Sequence, residues 1–146
     1  MEDPKLINGD IIIDERGSIS FVNDFDFNGI KRFYTIQNHK RGFVRAWHGH
    51  KNEAKYFTVV KGDALICAVK IDNWKNPSKD LKINRFVLSE KKPSILFLPA
   101  GYANGAMSLT PNTKIMVFST STLQESQTDD IRFNSRYWDP WKIEER

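Results

Sequence analysis

Two histidines two residues apart, His48 and His50, lie in the stretch RAWHGHKNEAKYFTVVKG, which also holds Lys55 and closes on Gly62. Strand alternation puts Ala46, His48 and His50 on one face. In the next strand Lys55, Phe57 and Val59 share a face, and a tight connection through KNEA brings Lys55 beside His48. Two imidazoles in this arrangement are possible metal ligands, because neutral ring nitrogens bind well and a two-residue step converges them. An ammonium group beside a divalent ion is electrostatically hostile, however, and two histidines alone hold a metal weakly. The same residues suit proton chemistry better. Burial lowers the pKa of both groups, since each charged form is desolvated and the two cations repel. A neutral His48 is a competent general base near pH 7, and a protonated Lys55 stabilises a developing enolate. Those are the two parts needed to remove a proton next to a ketone. The uncompensated lysine also favours an anionic substrate. The plain alternative is a pair of polar residues at a strand end, facing water.

The elements that must carry these residues are strands. Short apolar or alternating runs recur along the 146 residues: DIIID, SISFVN, RFYTIQN, FVRAWHGH, KYFTVVKG, ALICAVKID, INRFVLS, SILFLP and KIMVFSTS. Turn chemistry separates them, in ERGS, DFNG, HKRG, NPSKD, KKPS, PAGYANG and TPNT. No window sustains helical periodicity. The expectation is an all-β, single-domain antiparallel sandwich or barrel of the jelly-roll type, spanning residues 1–146, whose interior can hold a ligand. The segment from about 125 to 146 is aromatic, polar and punctuated by Pro140, and reads as an irregular covering tail.

Composition is that of an ordinary globular chain, with 40% hydrophobic and 27% charged residues. The formal net charge of +4 suits an anionic small molecule. The lysines and arginines are spread along the chain, and no zinc-finger spacing, recognition helix or single-strand-binding aromatic motif appears, so nucleic acid is not an expected partner. No stretch approaches the roughly 20 apolar residues of a membrane span. The opening MEDPKLINGD has no apolar core of a signal peptide. Cys67 is the single cysteine and falls in the apolar ALICAV, which fits a reducing cytoplasm.

The spacing around His48 resembles the first motif of the cupin superfamily: glycine, five residues, His-x-His, three or four residues, glutamate, six residues, glycine. Gly42, His48, His50 and Gly62 land on that frame. Lys55 stands in the glutamate slot, with Glu53 two positions off. The second cupin motif resembles PAGYANG, with Asn104 where the third histidine belongs. Two of the four ligand positions are thus replaced, and neither a metal nor another cofactor is expected.

Further motifs narrow the resemblance. DERGSIS (Asp14–Ser20), VRAWHGH (Val44–His50), AKYFTVVKG (Ala54–Gly62), LPAGYANG and YWDP (Tyr137–Pro140) are similar to those of the dTDP-4-dehydrorhamnose 3,5-epimerase family. The resemblance implies that His48 is the base taking the proton alpha to a 4-keto group and that Lys55 stabilises the enolate. It implies that Asp139 orients the histidine and that Arg16 and Arg45 lie near a nucleotide diphosphate. Arg16 equally fits a turn residue, and Asp139 a turn before Pro140. The family's tyrosine acid has no counterpart in VFSTSTLQES, which offers Phe118, Leu123 and Gln124. IKRFYTI and RAWHGHK also resemble the sugar-nucleotide 3,4-ketoisomerases, under which Tyr34 and His50 join His48 in proton transfer. Lys55 favours the epimerase-like reading. Gln37, His50 and Asn104 complete the substrate-contacting set with Trp138, which either stacks on a base with Trp141 or anchors the tail.

The expected function is a metal-independent epimerase or isomerase of a nucleotide-linked 4-keto-6-deoxyhexose, serving surface polysaccharide synthesis. A non-catalytic sugar-nucleotide-binding cupin and a metal-dependent cupin are the competing classes. A homodimer is expected, because small jelly rolls leave sheet edges that pairing can cover.

Overall fold

The computed structural model describes residues 2–146. In chain order the strands are β1 (Lys5–Asn8), β2 (Asp10–Asp14), β3 (Gly17–Phe21), β4 (Arg32–Gln37), β5 (Val44–His50), β6 (Lys55–Lys61), β7 (Asp63–Lys70), β8 (Ile83–Ser89), β9 (Ser94–Leu98), β10 (Tyr102–Ser108) and β11 (Lys114–Ser119). A five-residue helix, α1 (Leu123–Gln127), and a two-residue strand, β12 (Ile131–Arg132), follow. Antiparallel pairing gives two five-stranded sheets, ordered β1-β9-β6-β11-β4 and β12-β5-β10-β7-β8, and a separate β2–β3 hairpin. This is the jelly roll that the alternating runs predict.

The runs form strands because their side chains sort by parity. In β11 Ile115, Val117 and Ser119 are buried while their neighbours are half-buried. One core lies between the sheets, joining Phe57 and Val59 of β6 and Leu96 of β9 to Ile66 and Ala68 of β7. Each such side chain is worth about 1.5–3 kcal/mol of burial. A second cluster lies on the outer face of the second sheet. There Trp47, Leu65, Cys67 and Met107 are roofed by Trp138 and Trp141 of the C-terminal segment. Burial pushes the Cys67 thiol up to about 12, so it is an inert apolar group.

Two expectations change. The stretch PAGYANG is a turn only through Gly101, and from Tyr102 it becomes β10, a central strand of the second sheet. Its small residues hide that role, yet they are what the site needs. A Cβ on Gly105 would stand 2.7 Å from the Ala46 Cβ and 2.8 Å from the Trp141 ring. Second, His48 and Lys55 are not on paired strands: β5 pairs with β10 and β12, whereas β6 pairs with β9 and β11. Residues 51–54 cross from one sheet to the other, so base and cation face each other across the interior.

Candidate active site

The interior is apolar at one end and polar at the other, where a cavity of about 560 Å³ opens between the sheets. The first sheet contributes Arg32, Tyr34, Gln37, Lys55 and Phe57. The second contributes Arg45, His48, His50, Asn104 and Arg132, with Asp130 just before β12 and Ser126 and Gln127 of α1 at the lip. His48, His50, Lys55, Tyr34, Arg45, Asn104 and Gln37 therefore share one pocket.

Arg45 is there because of a bulge. The β5–β10 register runs Asn104↔His48 and then Gly105↔Ala46, so Trp47 is an extra residue on β5. The strict alternation expected above would group Ala46 with the histidines. The bulge turns Ala46 and Trp47 to the outer cluster and leaves Arg45 in the pocket. The Arg45 Nε donates to Asn38 Oδ1 at 2.7 Å, and Asn38 Nδ2 donates to Ser108 Oγ at 2.9 Å, which fixes the guanidinium's base.

Both imidazoles are neutral at pH 7. His48 is lowered from 6.5 to about 4, first by burial, then by the Arg132 guanidinium and the Lys55 ammonium. His50 is lowered by burial and by Lys55, against the opposing pull of the Asp129 carbonyl and Glu53. Asn104 Nδ2 donates to the His48 carbonyl at 3.2 Å and pins that part of β5. His50 Nδ1 lies 2.6 Å from the Asp129 carbonyl oxygen, and its Nε2 is buried with no partner. Tyr34 lies under two cations, with Arg32 Cζ 4.8 Å and Lys55 Nζ 5.8 Å from its ring centroid.

A depressed histidine pKa leaves the folded state holding fewer protons than the unfolded state between about 6.5 and 4. The stability tied to a neutral His48 is present above the unfolded value and is lost as pH falls through that window. Thermal unfolding at pH 7, 6, 5 and 4.5 should show a falling midpoint, and His48→Asn should flatten the fall.

Three expected contacts are not brought to this pocket. Asp139 is exposed and bonds Arg136 at 3.1 Å; the YWDPW segment turns its tryptophans inward, which aims the aspartate at solvent. Arg16 caps the β2–β3 hairpin, its side chain 80% exposed and paired with Asp14 at 2.6 Å. Trp138 is buried in the outer cluster, where its ring meets Trp47 edge-on at 5.4 Å and its Nε1 donates to Ser78 O at 3.0 Å. It anchors the tail.

The acids at the site are instead Glu53, Asp129 and Asp130. The Asp129 carboxylate accepts the backbone N–H groups of Lys51, Asn52 and Glu53 at 2.7, 2.8 and 3.0 Å. Asp130 pairs with Arg132 at 3.0 Å beside His48. Glu53 was visible beside the glutamate slot of the motif, and the DDIRF stretch, two acids entering an alternating pair, was the available signal for Asp129 and Asp130. Among the described residues no three His, Cys, Asp or Glu side chains converge as metal ligands. None of their helices is long and apolar enough to cross a membrane.

Comparisons with known proteins give the family and the fold. The sequence model of the dTDP-4-dehydrorhamnose 3,5-epimerase family matches residues 1–142. No curated protein matches the chain in sequence. Among solved structures, the Bacillus anthracis dTDP-4-dehydrorhamnose 3,5-epimerase with TDP and PPi bound superposes with a TM-score of 0.77 at 20% identity, covering 98% of this chain and 87% of that one. A 3,4-ketoisomerase from Thermoanaerobacterium thermosaccharolyticum, in complex with TDP, gives 0.68 at 21% identity over 94% and 93%. A Mycobacterium tuberculosis epimerase gives 0.68 at 19% identity, and there the chain spans 64% of the relative's length. At such identities the structural likeness shows the fold.

Proposed function

The chain belongs to the dTDP-4-dehydrorhamnose 3,5-epimerase family of sugar-nucleotide epimerases and isomerases, and on that premise we propose that it removes a proton alpha to the ketone of a nucleotide-linked 4-keto-6-deoxyhexose without a metal. The observation that carries this reading is the pair of neutral imidazoles, His48 and His50, facing the buried Lys55 across a pocket rich in cations. His48 takes the proton, and Lys55 stabilises the enolate oxygen. Arg45, Arg32 and Arg132 supply the positive field that a diphosphate requires. Gln37 and Asn104 offer neutral hydrogen-bonding groups to the sugar.

The test is hydrogen exchange. In heavy water the protein should place deuterium at C3 or C5 of TDP-4-keto-6-deoxyglucose. No incorporation, with TDP binding intact, would leave a non-catalytic binder. A 3,4-ketoisomerase is the second reading, favoured by Tyr34 and by the unpartnered Nε2 of His50 in the same pocket. Product analysis separates the two: a 3-keto sugar marks the ketoisomerase and an inverted centre marks the epimerase.

A homodimer in the cytoplasm, serving surface polysaccharide synthesis, completes the proposal. The β2–β3 hairpin lies outside both sheets and exposes Ile12, Ile13 and Ile19 at 58, 76 and 65%. A second copy covering those isoleucines would remove an apolar surface from water. Light scattering that gives a monomer at micromolar concentration would overturn the dimer.

A further inference from the structure

Below the floor of the pocket lies a carboxylate that the chemistry above does not use. The Glu53 side chain is 0% exposed. Its two oxygens accept from Ser119 Oγ on β11 at 2.5 Å and from Ser126 Oγ on α1 at 2.8 Å. They also lie 3.5 Å from His50 Nδ1 and 3.9 Å from both Lys55 Nζ and Arg32 Nη2. One carboxylate therefore touches both walls of the pocket and the lip. Its own backbone is fixed by the Asp129 carboxylate, which binds the Glu53 N–H.

We propose that Glu53 is the positioning residue of this site, holding His50 in a single tautomer and Lys55 opposite it; this rests on the isomerase reading above. The tautomer follows from the partners. His50 Nδ1 faces the Asp129 carbonyl oxygen at 2.6 Å and the Glu53 carboxylate at 3.5 Å, and both groups accept only. Nδ1 therefore carries the hydrogen, and Nε2 carries the lone pair. That Nε2 is buried and unpartnered on a residue that lines the pocket. A buried acceptor without a partner is destabilising, a cost removed when a substrate hydroxyl or a proton in transit meets it. Turning the ring over would break both acceptor contacts. The same carboxylate compensates Lys55 and Arg32, which both lie against the Tyr34 ring and, among the described residues, have no other carboxylate within 4 Å. Removing its charge while keeping its shape frees both His50 and Lys55 at once.

The experiment uses the full chain, 15N-labelled, with long-range proton–nitrogen spectra of His50 and exchange kinetics on TDP-4-keto-6-deoxyglucose. In the parent, His50 should show only the Nδ1–H tautomer. In Glu53→Gln, whose amide can donate to Nδ1, a mixed tautomer should appear. Its kcat should fall at least about tenfold, the scale of a small misplacement of reacting groups, with TDP affinity within threefold. A parent His50 in the Nε2–H tautomer overturns the proposal, and this outcome needs no variant to fold. A Glu53→Gln protein with kcat within twofold of the parent overturns it as well. A parent that exchanges no deuterium defeats the isomerase reading instead, and the His50 tautomer of Glu53→Gln compared with the parent still decides the role of Glu53: an unchanged Nδ1–H form in the variant assigns the ring to the Asp129 carbonyl alone and overturns the proposal.

Discussion

Replacing His48 with asparagine is expected to slow deuterium incorporation into a TDP-4-keto sugar by roughly 10²–10⁴-fold, the usual worth of a positioned general base, while TDP affinity stays within about twofold. Asparagine keeps polarity and approximate bulk but cannot take the proton. The arginines proposed to meet a diphosphate, Arg45, Arg32 and Arg132, are untouched by the change. The depressed pKa of His48 adds a second signature. The ring titrates at about 4, because burial, Arg132 and Lys55 all disfavour its charge. A bound diphosphate sugar brings negative charge to those two cations and so raises the imidazole. The acid limb of kcat/KM, which reports free enzyme, should therefore lie at lower pH than the acid limb of kcat, which reports the complex. Stopped-flow or NMR exchange rates across pH 4 to 8 check both statements. An unchanged rate in the variant removes His48 from the chemistry.

Replacing Trp47 with alanine should cost about 3–5 kcal/mol of stability, as large aromatic deletions from packed cores do. Its ring is 0% exposed, meets Trp138 at 5.4 Å and Trp141 at 5.2 Å, and donates its Nε1 to the Trp138 carbonyl at 3.0 Å. The lost packing falls on the junction between the second sheet and the C-terminal segment. That segment also carries Asp129, Asp130 and Arg132, so the damage reaches the pocket. Limited proteolysis should cut the variant after residue 120 under conditions that spare the parent. Calorimetry should show a midpoint lowered by about 10–20 °C for a chain of this size. A midpoint within 3 °C of the parent would mean that the tail is held elsewhere.

The strands were readable because short apolar runs and turn residues coincide: KIMVFSTS puts one parity inside, while SILFLP and KYFTVVKG bury residues of both parities. The His-x-His spacing and the lysine in the acid slot were equally plain. What escaped is instructive in physical terms. Strand β10 is written in alanine, asparagine and glycine, residues of weak strand preference, because Trp141 and Ala46 leave no room at Gly105. The bulge at Trp47 is a property of pairing between two strands, and nothing local to β5 announces it. Asp129 acts on His50 through its main-chain carbonyl, which every residue type possesses. Motif matching pointed to Asp139 for that neighbourhood, but the side chains that fold inward near it are tryptophans.

The pairing of β12 with β5 has a consequence for synthesis. His50 and the carbonyl that orients it are 79 residues apart in the chain. At about 5–20 residues per second, a ribosome exposes the imidazole for roughly 4–16 s before its orienting partner exists. For the first part of that interval β5 also lacks β10, and throughout it the crossing at residues 51–54 lacks the aspartate that gathers its amides. The proposed site is thus among the last parts of the molecule to mature, and a nascent or truncated chain carries the histidines without the groups that orient them.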